Sequence, residues 1–180
     1  MKYKKLKILS FGDPVLRQAA SPVTVFHSKL HSLIDSISYT LYNQDDGAAL
    51  AANQVGILKR ITVIDYEDEF IEMINPEILE MEGNQIGYEG CLSYPGYQGI
   101  VSRFNLIKVK YLNRFGEEFT IERKDKLSRC IQHEIDHLNG ILFIDRMEEK
   151  FLVHTENKKK ISLKDVLEIT EIKQVTLNTR

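Results

Sequence analysis

Residues 125–139 read DKLSRCIQHEIDHLN, and both the fold and the chemistry of the chain are decided there. Leu127, Ile131, Ile135 and Leu138 recur every three or four residues, the spacing of one apolar helix face. Gly140 follows where such a helix would need a left-handed cap. The same helix carries His133-Glu134-Ile135-Asp136-His137, an H-E-x-x-H. Histidines four residues apart lie one turn apart on one face, so both imidazoles reach a single metal ion. Glu134, next to the first ligand, reaches a bound water rather than the ion. The bland alternative is a core or solvated helix that happens to hold two histidines. The clean apolar face argues against it, because packing that face buries the histidines as a site.

A catalytic metal site needs a third protein ligand and an open position. In the metzincin pattern a glycine and then a third histidine follow at three-residue steps. Gly140 fits, but Phe143 stands at the histidine position. A thermolysin-like site would use a downstream glutamate, and Glu156 is the candidate, although it adjoins the charged run Lys158–Lys160. Upstream lies Cys91 in Glu89-Gly90-Cys91-Leu92-Ser93, a thiolate donor beside a glycine that permits close backbone approach.

Taken together, Glu89–Ser93 and Gln132–Leu138 resemble two motifs of the peptide deformylase family. A third motif agrees: Gly47-Ala48-Ala49-Leu50-Ala51-Ala52-Asn53-Gln54 is similar to that family's G-x-G-L-A-A-x-Q. Weaker echoes extend the resemblance over residues 8–147. It implies a metal-dependent hydrolase that removes the formyl group from formyl-methionine at the N-terminus of newly made polypeptides. It implies that Cys91, His133 and His137 hold the metal, and that Glu134 takes a proton from the activated water and returns it to the leaving amine. It assigns the Gln54 amide and the Leu92 N–H to the oxyanion, and Ala48 and Ala49 to substrate binding. The ion implied is Fe(II), with Zn, Ni or Co able to occupy the site; softness alone would suit a Cys-His-His set to zinc. Glu89 and Arg103 are expected to pair behind the Cys91 segment. Two departures stand out. Ala49 replaces the second glycine of the first motif, where a methyl could crowd substrate or restrict φ. Tyr88 stands where many relatives carry an acid. The rival readings are a deformylase-like binder of formylated peptides and a zincin-type protease using Glu156.

Around these motifs, residues 28–44 carry a helical stripe of Leu30, Leu33, Ile34, Ile37 and Leu41. Strands are expected over 60–65, 106–112 and 117–123, the last two as a hairpin through Asn113–Gly116. Met73–Leu79 reads as a strand at an edge because of Pro76, and Ile141–Ile144 as a short strand. The segment Gly83–Gly99 is rich in glycine. Leu163, Val166 and Leu167 suggest a C-terminal amphipathic helix. The expectation is an α+β fold, with antiparallel sheets around a central helix carrying the motif. A catalytic body spans residues 1–147, and a tail spans 148–180.

The whole chain has 180 residues, 24 Lys and Arg against 26 Asp and Glu, and two Cys. A net charge of −2 gives no general drive toward DNA or an anionic membrane. There is no signal-peptide core and no run long enough to span a bilayer, so a cytoplasmic protein with reduced thiols is expected. Cys130 is expected to pack near the methionine pocket, and His27, His31 and His154 to be surface residues. The family resemblance also implies a contact of the tail to the ribosome.

Overall fold

The computed structural model describes residues 3–45, 47–66 and 68–168. Among them, β1 (Ala49–Ala51), β2 (Ile61–Tyr66), β3 (Glu69–Glu82), β6 (Leu106–Leu112) and β7 (Glu118–Lys124) form one sheet in the order β1-β2-β3-β6-β7. A second sheet has the order β4-β5-β8-β9, with β4 (Gln85–Cys91), β5 (Tyr94–Arg103), β8 (Phe151–His154) and β9 (Lys160–Ser162). Pairings between these strands are antiparallel. Helices α1 (Ser28–Tyr42) and α2 (Asp125–Leu138) complete an α+β architecture. No helix among the described residues is long and apolar enough to cross a membrane.

The apolar stripes decide the packing. Leu30, Ile34, Ile37 and Leu41 of α1 share a core with Leu50, Ile61 and Val63. Leu127, Ile131 and Ile135 of α2 share another with Ile64, Met73, Ile107 and Val109. Each such side chain contributes about 1.5–3 kcal/mol on full burial. The first sheet thus fixes α2 by its apolar face. Gln132, His133, Glu134, Asp136 and His137 are buried as well, so the polar groups of α2 must find partners inside the protein.

Three local readings change. Met73–Leu79 lies within β3, which has β2 on one side and β6 on the other, so it is no edge. Pro76 is tolerated because pairing with β6 shifts register between Ile74 and Glu77, a bulge that needs no donor there. Ile141–Ile144 is not a strand. Phe143–Arg146 forms a 3-10 turn in which Asp145 Oδ2 accepts from Leu142 N at 2.8 Å. A short apolar run cannot distinguish these by pattern alone. The glycine-rich Gly83–Gly99 forms most of the β4–β5 hairpin. Gly87 has a use in it: a Cβ there would lie 3.4 Å from the Arg129 guanidinium, which crosses the strand at that point.

The segment after residue 147 packs onto the body. Tyr97 and Gln98 of β5 pair with His154 and Val153, and Leu152 and Val166 share a core with Phe11, Leu16 and Phe143. Residues 163–168 are helical; the rest of the expected C-terminal helix lies outside the described residues.

Gly140 adopts φ +74° directly after the α2 cap at Asn139. A Cβ there would also lie 2.6 Å from the Arg17 carbonyl oxygen. Gly140→Ala is therefore expected to destabilise the fold by about 1–3 kcal/mol. The measurement is a lower urea midpoint at unchanged slope.

Candidate functional site

Three segments far apart in the chain meet on the polar side of α2. His133 and His137 place their Nε2 atoms 3.1 Å apart. Cys91, the last residue of β4, brings Sγ to 3.3 Å from His137 Nε2. Its strand shifts register against β5 between Gly90 and Cys91, a bulge that re-aims the thiol. The three donor atoms all lie within 4.8 Å of one another. A tetrahedral ion with bonds of about 2.0–2.3 Å needs donors about 3.3–3.7 Å apart, so the spacing suits one ion. Burial, with the nearby His133 and Arg103 charges, holds the His137 imidazole well below its usual value.

The N-terminal arm stitches these segments together through its backbone. Leu9 N donates to Gln54 O at 2.8 Å, Phe11 N to Ser93 O at 2.9 Å, and Ala20 N to Leu138 O at 2.9 Å. Beyond Cys91, Leu92 and Ser93 form the tight turn into β5.

Behind His133 lies a buried ionic cluster. Glu89 Oε2 meets His133 Nδ1 at 2.9 Å. Arg103 donates Nε to Glu89 Oε1 at 2.8 Å and its second terminal nitrogen to Oε2 at 3.0 Å. Arg129 donates to Glu89 Oε1 at 2.9 Å and to Val101 O at 2.9 Å. Burial alone would raise the Glu89 carboxyl. The hydrogen bonds from Arg103 and His133, and their charges, hold it far below the usual carboxylate range. Arg103 also reaches Asp136, which receives two hydrogen bonds from Arg146.

Glu134 is 3% exposed and projects from the same helix. Its Oε2 accepts from the Thr62 hydroxyl at 3.3 Å. Burial pushes its carboxyl up to about 7, against the pull of His133 and Thr62, a value suited to taking and returning a proton near neutral pH. Gln54 follows β1 in a 3-10 turn, Ala52–Val55. Its Oε1 accepts from Ala51 N at 2.9 Å, which fixes the amide orientation. Its Nε2 then points to Cys91 Sγ at 3.4 Å and Ser93 Oγ at 3.2 Å.

These groups open onto a groove of about 790 Å³, lined by Ala48, Ala49, Gln54, Leu92, His133 and Glu134 among others. Its two sides carry β1 and β4, the outermost strands of their sheets. Ala49 has no left-handed backbone and pairs with Ile64, so its methyl costs no backbone strain. Tyr88, 54% exposed, and the half-buried Cys130 also line the groove.

Glu156 lies exposed in the turn after β8 and is outside the three-residue group. His27 caps α1, accepting from Leu30 N at 3.1 Å. His31 meets Arg114 O at 2.8 Å, and the His154 ring stands edge-on to Tyr97 at 5.0 Å. Four residues at the site had no role in the sequence reading: Asn53 and Ser93, which lie inside the motifs, and Thr62 and Arg129, which lie outside them. Arg129 precedes His133 by one turn, and that spacing was the only available signal for it.

The polypeptide deformylase family profile matches residues 5–151. A peptide deformylase of Halothermothrix orenii is 54% identical over 144 residues, covering 79% of this chain and 93% of that protein. The crystal structure of peptide deformylase from Thermotoga maritima superposes with a TM-score of 0.79 at 44% identity, covering 82% of this chain and all of that one. A peptide deformylase of Acinetobacter baumannii with Met-Ala-Ser bound superposes with a TM-score of 0.77 at 36% identity, covering 81% of this chain and 100% of that one.

Proposed function

This chain belongs to the peptide deformylase family, and on that premise we propose that Cys91, His133 and His137 hold its catalytic metal, with Glu134 beside it. The reaction is hydrolysis of the N-formyl group from formyl-methionine at the start of new polypeptides, releasing formate. The observation that carries the residue assignment is the convergence of three ligand atoms within 4.8 Å at a groove that Glu134 also lines.

When bound, the ion supplies Lewis-acid activation of a water and of the formyl oxygen near neutral pH. Three protein ligands leave a position open for that purpose. Fe(II) is the ion proposed for the cell, with Zn, Ni or Co able to take the site in a purified sample; the soft thiolate and two imidazoles suit any of them. Glu134 takes the water proton and delivers it to the leaving amine as the carbon–nitrogen bond breaks. The Gln54 amide N–H and the Leu92 backbone N–H stabilise the negative charge that develops on the formyl oxygen. Gln54 is prepared for this, since its oxygen end is already occupied by Ala51 N–H. Ala48, Ala49 and the free edge of β4 hold the substrate backbone as an added strand. Glu89 and Arg103 fix the His133 ring from behind.

In this reading α2 is the central element of the fold. Residues 1–147 carry the chemistry, and the tail from residue 148 adds Thr155 to the rim of the groove. A cytoplasmic location next to the ribosome fits a substrate made there, and the exposed run Lys158–Lys160 supports a contact to ribosomal RNA.

The test is formate release from formyl-Met-Ala under anaerobic Fe(II) loading, with bound metal measured in parallel. Cys91→Ala is expected to lose both the stoichiometric ion and the activity, whereas Glu156→Ala keeps both. Absence of release from fully loaded wild type rejects the proposal. Retention of the ion by Cys91→Ala rejects the ligand assignment.

A further inference from the structure

The two histidines of the ligand group have unequal surroundings. His133 turns its Nδ1 to the Glu89 carboxylate at 2.9 Å. His137 Nδ1 is buried and has no hydrogen-bond partner. Among the described residues one other buried side-chain atom shares that condition, Asn53 Oδ1. The two atoms belong to residues already joined, because Asn53 Nδ2 donates to the His137 backbone carbonyl. A carbonyl only accepts, so the nitrogen end of the amide is fixed there and the oxygen end is left as a free acceptor. Asn53 is 0% exposed, and it sits immediately before Gln54.

An imidazole that ligates through Nε2 carries its proton on Nδ1, and that N–H nearly always finds a carboxylate, a carbonyl or a water. Buried polar atoms are rarely left alone. Here an unpaired donor and an unpaired acceptor lie in one bonded pair of residues. We propose that Asn53 Oδ1 accepts the His137 Nδ1–H through one enclosed water, and so acts as a positioning residue for this ligand. The inference rests on the ligand assignment made above. One amide then holds His137 at two points, its backbone carbonyl and its ring. The two imidazoles receive different support: an anion makes His133 a stronger donor to the ion, while a neutral amide only orients His137.

The experiment uses the zinc-loaded protein labelled with ¹⁵N-histidine, with metal affinity measured by chelator competition. Wild type is expected to show a slowly exchanging His137 Nδ1 proton. Asn53→Ala is expected to lose that protection and to bind zinc about 10- to 100-fold more weakly. Asn53→Asp keeps an acceptor for the ring proton but sets its other oxygen against the His137 carbonyl, so it is expected to keep the protected proton while melting at a lower temperature. Thermal melting of each variant separates loss of fold from loss of metal. Unchanged zinc affinity and an unchanged ring proton in folded Asn53→Ala would overturn the proposal. So would a lower melting temperature of Asn53→Ala with unchanged affinity, which is a structural role alone. A wild type that binds no zinc overturns the ligand assignment instead, so the two failures are distinguishable.

Discussion

Glu134→Ala is expected to keep its full complement of metal and to lose formate release by about 100- to 10,000-fold. The carboxylate is outside the three-residue ligand group, so its removal leaves the donors in place. What disappears is a buried acid at the groove whose carboxyl is pushed up to about 7 by burial. Glu134→Gln keeps the shape and the neighbour Thr62 but cannot carry a proton, so it is expected to lose as much. The measurement is kcat at saturating substrate and ion, with the metal-to-protein ratio determined on the same sample. Wild-type turnover in either variant would remove Glu134 from the proton path.

Glu89→Ala is expected to have the largest effect on stability. Its carboxylate gathers Arg103, Arg129 and His133 in a space where its own side chain is 4% exposed. Without it, Arg103 keeps only Asp136 as a counter-ion, and Arg129 keeps backbone carbonyls. Removing one partner of a buried ion pair costs about 3–5 kcal/mol, because the remaining charge is left without compensation. The His133 ring also loses its anchor, at about 10- to 100-fold in metal affinity. Denaturant unfolding with and without metal separates the two effects. A loss below about 1 kcal/mol would mean that the cluster is solvated rather than buried. The pH dependence has a fixed sign. Glu89 titrates lower in the folded chain than its ordinary 4.5. Its contribution is therefore complete above pH 4.5 and declines as pH falls from there through the folded value. The Glu89→Ala protein should lack that acid-dependent loss.

The parts legible in the sequence were those whose signal is local. An i, i+4 pair of histidines and a three-to-four apolar period both survive without knowledge of the fold, so α2 and the meeting of its two imidazoles could be read from residues 125–139. The β6–β7 hairpin was legible for the same reason: alternation and a turn. Pro76 misled because a proline that lacks a donor looks like an edge, while a bulge answers the same need in mid-sheet. The β4–β5 hairpin was hidden because its glycines carry no hydrophobic alternation; Gly87 makes room for Arg129. Asn53, Thr62 and Arg129 escaped because their partners lie between 40 and 84 residues away, beyond any pattern a single sequence displays. Gln54 was named through resemblance. Its orientation, set by Ala51 N–H, needed coordinates.

The pairing of Glu82 with Leu106 has one more consequence. The chain leaves the first sheet after Glu82 and returns to it at Leu106, so the whole β4–β5 hairpin is an excursion closed at its base by β3 and β6. Cys91 rides on that excursion, while both imidazoles ride on a helix anchored to the first sheet. Yet that hairpin is not free of the helix, because Glu89 of β4 holds the His133 ring and Arg129 of α2 reaches back to Gly87 and Val101. Swinging the hairpin outward would therefore leave the buried Arg103 and Arg129 without their shared carboxylate. The excursion and the helix move as one body.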